Sequence, residues 1–528
     1  MGMKGAVASS HPLAVQAGIS MLSNGGNAVD AAIAVAAALT VLEPTSCGLG
    51  SDAFALVWED GTLAGLNASG AAPALASAEE LRRGGLTQMP ALGWPSVTVP
   101  GAVSAWARLH QRFGCLPFRD LLAPAIAYAR EGAPVPPVIA GYWRAAERRF
   151  MGLGGVFDEF ERVFLPRGRA PLAGEVFRSE EMACTLESIA LTRGESLYRG
   201  SIARALSEYS EATGGLIRLD DLERHEPEWV EPISVSYRGF DVHEIPPNGQ
   251  GIVALMALGI LEGFDMRGMD QLGPESLHLI AEALRLSFAD AHAYVGDPRL
   301  AGIPVQELLD ADYLSARRRM IHPAQAMASP EPGLPGRARW QPQDSDTVYL
   351  ATADSQGMMV SFIQSNYMGF GSGIVVPGTG ISLQNRGVGF SLRPGSPNEL
   401  APFRRPFHTI IPGFITKDGG ALAAFGVMGG DMQPQGHVQV VSAVIDHGQN
   451  PQAAVDCPRI RVSGPDKISA EVSVPDSTVR ALAAMGHSVY VDPEPAGFGG
   501  GQLIWRDPST GVLIAGSEPR KDGHAAAI

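Results

Sequence analysis

Asp344-Ser345-Asp346-Thr347-Val348-Tyr349-Leu350-Ala351-Thr352-Ala353-Asp354-Ser355-Gln356-Gly357 is the stretch on which the reading of this chain turns. Its first half is β-rich. Asp354 to Gly357 has the Asp-x-x-Gly form of a tight turn, and a second β-rich run follows from Met358 to Ser365, so the pair predicts a hairpin. Upstream, residues 322–346 (HPAQAMASPEPGLPGRARWQPQDSD) are rich in Pro, Ala, Gly and Gln and carry neither helical nor strand period. That is the composition of an exposed, poorly ordered tether. A tether running into a strand that opens on Thr suggests a chain cut before Thr347. The cut would set an α-amine, a base, beside the Thr347 hydroxyl, an otherwise weak nucleophile. Taken alone, the stretch also suits an ordinary strand threonine behind a Pro-rich loop.

The rest of the chain narrows the field. Its 528 residues suffice for roughly two to four average domains or one large α/β body. With 45% hydrophobic and 18% charged residues it can bury a large core, and 63 Gly and 40 Pro imply many tight turns. A net charge of −15 argues against nucleic-acid and anionic-membrane partners, though not against a local cationic pocket for a small acid. Cys47, Cys115, Cys184 and Cys457 match no metal or redox spacing and read as buried reduced thiols. The 12 His form no His-Glu-x-x-His and no ligand cluster, so neither a metal nor a cofactor is expected. The N-terminus lacks signal-peptide form, and the richest apolar run, Ala31 to Leu42, is too short to span a bilayer. A cytoplasmic protein is expected, its oligomeric state open to a homo-oligomer.

In chain order, GAVAS (5–9) predicts a strand, and His11 to Ser23 a helix ended by Asn24-Gly25-Gly26. Asn27 N-caps a second helix that Pro44 stops. Gly48 and Gly50 fail as a dinucleotide fingerprint, since no third Gly and no helix follow; a turn packed against another backbone fits better. Strands are expected at Ala53 to Trp58, Leu63 to Ala68, Gly214 to Ile217, Ile233 to Tyr237 and Phe240 to Ile245. Helices are expected at Gly101 to Phe113, Pro117 to Arg130, Leu186 to Ser207, Ile252 to Leu261, Pro274 to Tyr294 and about 433–447, and Trp143 to Leu165 stays ambiguous.

Several stretches, in order and over nearly the whole chain, carry a resemblance: NGGNAVDAAIAV (24–35), TVPGAVSAW (98–106), GGLIRLDDL (214–222), SYRGFDVHEIPPNGQGI (236–252), ADAHAYVGDP (289–298), DTVYLATADSQG (346–357), GFGSGIV (369–375) and MGGD (428–431). Together they resemble the γ-glutamyltranspeptidases, which are N-terminal-nucleophile hydrolases. The resemblance implies an α+β fold, an αββα four-layer sandwich, made as one chain that cuts itself between Asp346 and Thr347. Residues 1–346 would form a large fragment carrying the tether and 347–528 a small fragment, the two staying associated in one body. It also implies that Thr347 is the nucleophile, that Ser365 hydrogen-bonds it where Thr is usual, and that the amides of Gly429 and Gly430 form the oxyanion hole. The glycine pair independently stands between a strand and a helix start, where amides and the helix dipole favour an anion; an ordinary left-handed turn reads the same way.

The departures from the family concern the substrate. Where γ-glutamyl enzymes bind the α-amine with Asn, Gln and Asp, this chain has Tyr367, Arg386 and Gly389. Where they bind the α-carboxylate with two Ser and an Arg, it has His408-Thr409 and Ser69. An ammonium beside Arg386 is unfavourable and a carboxylate favourable, since Arg can grip it with a fork; His408 and Thr409 add donors. A structural salt-bridge Arg is the competing reading of Arg386. The pattern resembles the cytoplasmic branch that includes oxamate amidohydrolase, glutathione-hydrolase-like proteins and glutaryl-type cephalosporin acylases. The expected substrate is a small-molecule amide with a carboxylate on its acyl part. A true glutathione hydrolase and a non-processing, small-acid-binding relative are the alternatives.

Overall fold

The computed structural model describes residues 1–334 and 346–528. The hairpin forms at the centre of the molecule as strands Asp346–Asp354 and Met359–Tyr367, closed by Asp354, which accepts from the Gly357 amide (3.3 Å) in a turn where Gly357 takes φ 90°. Both strands are buried almost throughout. They lie inside a seven-stranded antiparallel sheet ordered His524–Ala527, Gly5–Ser9, Asp346–Asp354, Met359–Tyr367, Asp52–Glu59, Thr62–Asn67, Glu228–Val230.

Because side chains alternate along a strand, the hairpin feeds two different cores. Val348, Leu350, Val360 and Phe362 pack outward against a helical layer that contains Pro12–Ser23 and Ala28–Leu42. Tyr349, Ala351, Met359 and Ile363 point inward, against a six-stranded antiparallel sheet ordered Leu513–Ser517, Gly500–Arg506, Gly420–Met428, Gly413–Lys417, Phe240–Glu244, Ile233–Tyr237. Helices Gly251–Leu261, Pro274–Tyr294 and Met432–Ile445 cover the far face of that sheet. The result is the four-layer αββα sandwich expected from the sequence.

Close approach fixes the two sheets on one another. A Cβ at Gly426 would come within 2.4 Å of the Tyr349 ring, so only Gly lets the aromatic side chain lie on that strand. Tyr349 Oη and Ser361 Oγ are 2.7 Å apart, and Ser361 also reaches Phe425 O (3.2 Å), tying the hairpin to the second sheet. On the outer side, Asn27 and Asp30 form a capping box at the start of Ala28–Leu42. The Ala28 amide donates to Asp354 (2.9 Å), and Thr352 donates to Ala28 O (2.6 Å), so the helix is docked on the hairpin by its first residue.

Most expected elements form within a residue or two of their predicted ends. Gly214 to Ile217 does not form a strand: a Cβ at Gly215 would meet the Trp94 ring at 2.5 Å, and the segment is a connection in which Gly215 and Ile217 are buried while Gly214 is exposed. The ambiguous Trp143 to Leu165 is helix Pro137–Phe150, a short turn and helix Asp158–Phe164. The predicted Leu186 to Ser207 helix is three pieces, Glu180–Thr192, Glu195–Tyr198 and Ser201–Ala212. The expected tether is described only to residue 334, and that part is pinned, with Ala326 bonded to Met485 O (2.7 Å), Arg317 to Glu331 O (2.8 Å) and Gly333 to Asp290 (2.7 Å); residues 335–345 lie outside the description. The four cysteines are free, but Cys115 and Cys184 are exposed, against the expectation of burial. Among the described residues no helix is long and apolar enough to cross a membrane.

Candidate active site

Strand alternation carries Thr347 and Ser365 to the same inward face, at the end of the hairpin far from its turn. Thr347 Oγ1 donates to Ser365 Oγ (3.1 Å), and Ser365 Oγ donates to Asp346 O (2.9 Å), the carbonyl of the peptide bond just before Thr347. The Tyr367 amide completes the Ser365 environment (2.8 Å). Thr347 is only 1% exposed, in a chain continuous through Asp346. A bulge between Gln364 and Tyr367 breaks the register here and leaves Tyr367 at φ 77°, a left-handed conformation that costs a non-glycine residue about 1–3 kcal/mol.

Gly429 and Gly430 follow strand Gly420–Met428 and precede helix Met432–Ile445, both with positive φ (121° and 60°). Gly429 O accepts from Met432 N (3.0 Å), and Gly430 O accepts from Gln433 N (3.1 Å) and Gln250 Nε2 (2.9 Å). These bonds fix the orientation of both peptide units. Gln250 also donates to Thr409 O (2.7 Å), linking the glycine pair to the segment that holds His408 and Thr409.

Arg386 is fully buried in the turn Arg386–Gly389. Its guanidinium stacks over the Tyr367 ring (4.2 Å to the centroid) and donates once, from Nη1 to Thr409 Oγ1 (2.8 Å). Among the described residues, its Nε and Nη2 are buried with no hydrogen-bond partner. Burial pulls Arg386 down to about 10, with Tyr367 and Asp52 opposing. The fold thus brings Tyr367, Arg386 and Thr409 into one cluster. His408 joins it differently: its Nε2 faces Asp52 (3.0 Å) and its Nδ1 accepts from Ile410 N (3.4 Å), so both ring nitrogens are engaged inside the protein. Burial, then Arg386 and Arg405, hold His408 well below its usual pKa and therefore neutral. Ser69 bonds to Asn67 (2.7 Å) and accepts from Asn248 (3.2 Å).

Asp52 is the residue that sequence reasoning missed. It lies directly across from Ser365 in the sheet. It accepts from Gly70 N (2.9 Å) and Gln384 Nε2 (2.9 Å) as well as facing His408. Burial pushes its carboxyl up to about 7, against Arg386 and the hydrogen bonds from Gln384 and Gly70. A signal was present: Asp52 shares its strand face with Phe54 and Leu56, so a carboxylate falls at an inward position.

The sequence offered no metal-ligand cluster, but the fold gathers His278, Glu282 and His487, with ligand atoms within 4.8 Å. Each already has a protein partner. His278 Nδ1 is 2.8 Å from His487 Nε2, His278 Nε2 is 2.8 Å from His322 O, and Glu282 accepts from Arg285 and from Met327 N (2.9 Å). The group belongs to the helical layer on the far side of the second sheet.

This arrangement of a strand-borne threonine, a serine partner and a glycine pair at a helix start coincides with a family match. The chain fits the gamma-glutamyltranspeptidase family model over residues 14–528. The protein belongs to the γ-glutamyltranspeptidase family. It is 36% identical to the glutathione hydrolase-like YwrD proenzyme of Bacillus subtilis (strain 168), over 100% of this chain and 99% of the relative. It is 34% identical to the oxamate amidohydrolase proenzyme of Klebsiella pneumoniae, over 98% of this chain and 97% of the relative. The crystal structure of cephalosporin acylase from Bacillus halodurans is 51% identical and superposes with a TM-score of 0.95, covering 100% of this chain and 96% of that one. As a member of the γ-glutamyltranspeptidase family, the protein is an N-terminal-nucleophile amidohydrolase, a hydrolase/acyltransferase acting on amide bonds.

Proposed function

We propose that this γ-glutamyltranspeptidase-family chain cuts itself between Asp346 and Thr347, and that Thr347 then hydrolyses amides whose acyl part carries a carboxylate and no α-amine. The observation that carries the first half is the hydrogen-bond relay from Thr347 Oγ1 through Ser365 Oγ to Asp346 O. As the Thr347 hydroxyl attacks the Asp346 carbonyl carbon, it passes its proton to Ser365, and Ser365 passes its own to the carbonyl oxygen. The adduct then collapses: its hydroxyl gives its proton back through Ser365 as the C=O re-forms, the C–N bond breaks, the Thr347 nitrogen takes up that proton and leaves as a free amine, and an ester joins Asp346 to the Thr347 oxygen. Water hydrolyses the ester, restoring the hydroxyl and releasing the Asp346 carboxylate. The two fragments stay together because strands of both share each sheet.

In the cut enzyme the Thr347 amine serves as base for its own hydroxyl, and the Gly429 and Gly430 amides take the developing oxyanion. Arg386, stacked on Tyr367 and steadied by Thr409, supplies the carboxylate grip through its two unpartnered nitrogens. His408 acts through Asp52 rather than by touching substrate. A γ-glutamyl ammonium finds no free acid here, since both Asp52 oxygens are already engaged. The chemistry favours oxamate-like or glutaryl-like acids over glutathione, and catalysis needs neither metal nor cofactor.

A denaturing gel tests the first half. Purified protein gives two bands, about residues 1–346 and 347–528, and Thr347→Ala gives one; processing at the parental rate in the variant would overturn the nucleophile. A panel of oxamate, a glutaryl amide and glutathione tests the second. A preference for glutathione would overturn the role given to Arg386.

A further inference from the structure

Pro246-Pro247-Asn248-Gly249-Gln250-Gly251, within the 236–252 motif, has no part in the reaction steps above. It joins strand Phe240–Glu244 to helix Gly251–Leu261 by a tight return: a Cβ at Gly251 would meet the Glu244 Cβ at 2.7 Å, so the helix starts against the strand it has just left. Gln250 stands at the N-cap of that helix yet makes no side-chain capping bond. Fully buried, it turns instead to two carbonyls from elsewhere in the chain, donating from Nε2 to Thr409 O (2.7 Å) and to Gly430 O (2.9 Å). Only the amide nitrogen can face two carbonyls, so its partners set the orientation of the side chain. Among the described residues its Oε1 is buried with no partner. Holding the donor in place leaves one buried acceptor unmade, a cost that packing does not offset.

The two carbonyls belong to the two halves of the site. Thr409 carries the hydroxyl that accepts from Arg386 Nη1 (2.8 Å), and Gly430 is the second of the glycine pair. A continuous chain of contacts therefore runs from the guanidinium through Thr409 and the Gln250 amide to Gly430. The Gln250 loop is locked to the Thr409 segment by its backbone as well. Gln250 N donates to His408 O (3.0 Å), His408 N donates to Asn248 O (2.9 Å), and Asn248 Nδ2 donates to Pro406 O (2.8 Å). The helix that follows the glycine pair is tied to the same segment a second time, where Ile411 N donates to Gln433 Oε1 (3.0 Å). Gly430 itself, at φ 60°, has no side chain to hold it; its carbonyl is held by Gln433 N and Gln250 Nε2.

We propose that Gln250 is a positioning residue shared by both halves of the site: it holds Gly430 in the orientation that the oxyanion hole requires and Thr409 in the place from which it steadies Arg386. Acyl-group recognition and oxyanion stabilisation are then set by one amide. This rests on the reading of Thr347, Arg386 and the glycine pair given above. Both Gln250 N–H bonds are used on protein carbonyls, so Gln250 acts through Gly430 and Thr409 and has no donor left for substrate. It moves no proton, and the covalent steps are those already written.

The test measures two constants on fully cut protein: kcat on a glutaryl anilide, and the inhibition constant of glutarate. Gln250→Met removes the donor, and Gln250→Glu keeps the size but sets acceptors against both carbonyls. Q250M is expected to lower kcat about tenfold, short of the roughly 100-fold that follows outright loss of a hole donor, and to raise the inhibition constant about threefold. Q250E loses at least as much on both counts. The pair R386M/Q250M binds glutarate no more weakly than R386M alone, because both changes act on one grip, while its kcat falls below that of R386M. A lower urea midpoint with both constants parental, a change in one constant alone, or parental constants in the isosteric Q250E would overturn the proposal. Should neither variant fold, Gln433→Met loosens the neighbouring tie to Ile411 and moves both constants in the same directions; parental constants there would overturn it equally. Failure of the underlying reading shows up separately, as cleavage in T347A or as parental glutarate inhibition in R386M.

Discussion

Arg386 and Arg459 are both sealed from solvent, at 0% and 1% exposure, yet their surroundings differ in kind. Arg459 donates to Glu518 (2.9 Å), Phe498 O (2.9 Å) and Val455 O (3.1 Å), leaving only Nε unpaired. Arg386 has one hydrogen bond and an aromatic face, and leaves two nitrogens unpaired. Burial is therefore not what separates a structural guanidinium from a binding one. The deficit of acceptors is, because a buried donor left unmade costs about 1–3 kcal/mol that an incoming carboxylate repays.

The sharpest way to break this contrast is to remove each cation in turn. Arg459→Met strands Glu518 with Arg520 as its one remaining cation and is expected to cost about 3 kcal/mol of stability, read as a lower urea midpoint. Arg386→Met removes an under-satisfied charge, so the midpoint holds or rises. The same variant loses about 100-fold in kcat/KM on a carboxylate-bearing amide, some 2.7 kcal/mol, the scale of a lost charge-assisted contact. If both variants lost stability equally, Arg386 would be structural and the substrate assignment would fall.

Two serines on one strand face sharpen it at a smaller scale. Ser365 links Thr347 to Asp346 O, whereas Ser361 links Tyr349 to Phe425 O. Ser365→Ala is expected to slow self-cleavage by about 100-fold on a gel time course, the lower end of the range for a lost proton-transfer partner. Ser361→Ala should leave cleavage at the parental rate and cost about 1 kcal/mol of stability, the net worth of a buried hydrogen bond. Equal effects on cleavage would mean that strand integrity, not the relay, controls the reaction.

The sequence made the hairpin legible because its signals are local: alternation, an Asp-x-x-Gly turn, and a helix whose Asn27 cap lies beside it in the chain. The same holds for Gly429 and Gly430, between a strand and a helix. What stayed hidden was set by long-range geometry. Asp52 meets Ser365 only through strand pairing, and Lys521 meets Tyr142 across 379 positions of chain. Gly214 to Ile217 has strand composition but is held by a packing contact with Trp94, which no local pattern encodes. His408 was expected to face substrate from its position alone, and only the fold reveals that Asp52 occupies it.

The acids beside the two arginines give the subtlest test. Glu518, between Arg459 and Arg520, is held below the usual carboxylate range although burial opposes it. Asp52, near Arg386, is pushed up to about 7 because burial outweighs that cation. The two signs produce opposite pH dependences. An unfolded Asp releases its proton near pH 3.9, so between about 4 and 7 the folded chain holds a proton that the unfolded chain has lost. Stability therefore falls as pH rises through that window, by at most about 1.4 kcal/mol per unit for this group. Asp52→Asn should flatten that stretch of the curve; Glu43, also pushed to about 7 by burial, keeps a slope of the same sign. Glu518 contributes stability that is complete above the unfolded Glu value and is lost as pH falls through its lowered folded value, so Glu518→Gln should flatten only the acid limb. Urea midpoints measured from pH 3 to 8 separate the two, and an unchanged slope between 4 and 7 in the Asp52 variant would mean that Arg386 compensates its neighbour as fully as Arg459 does. Arg386 would then have no surplus charge to offer a ligand.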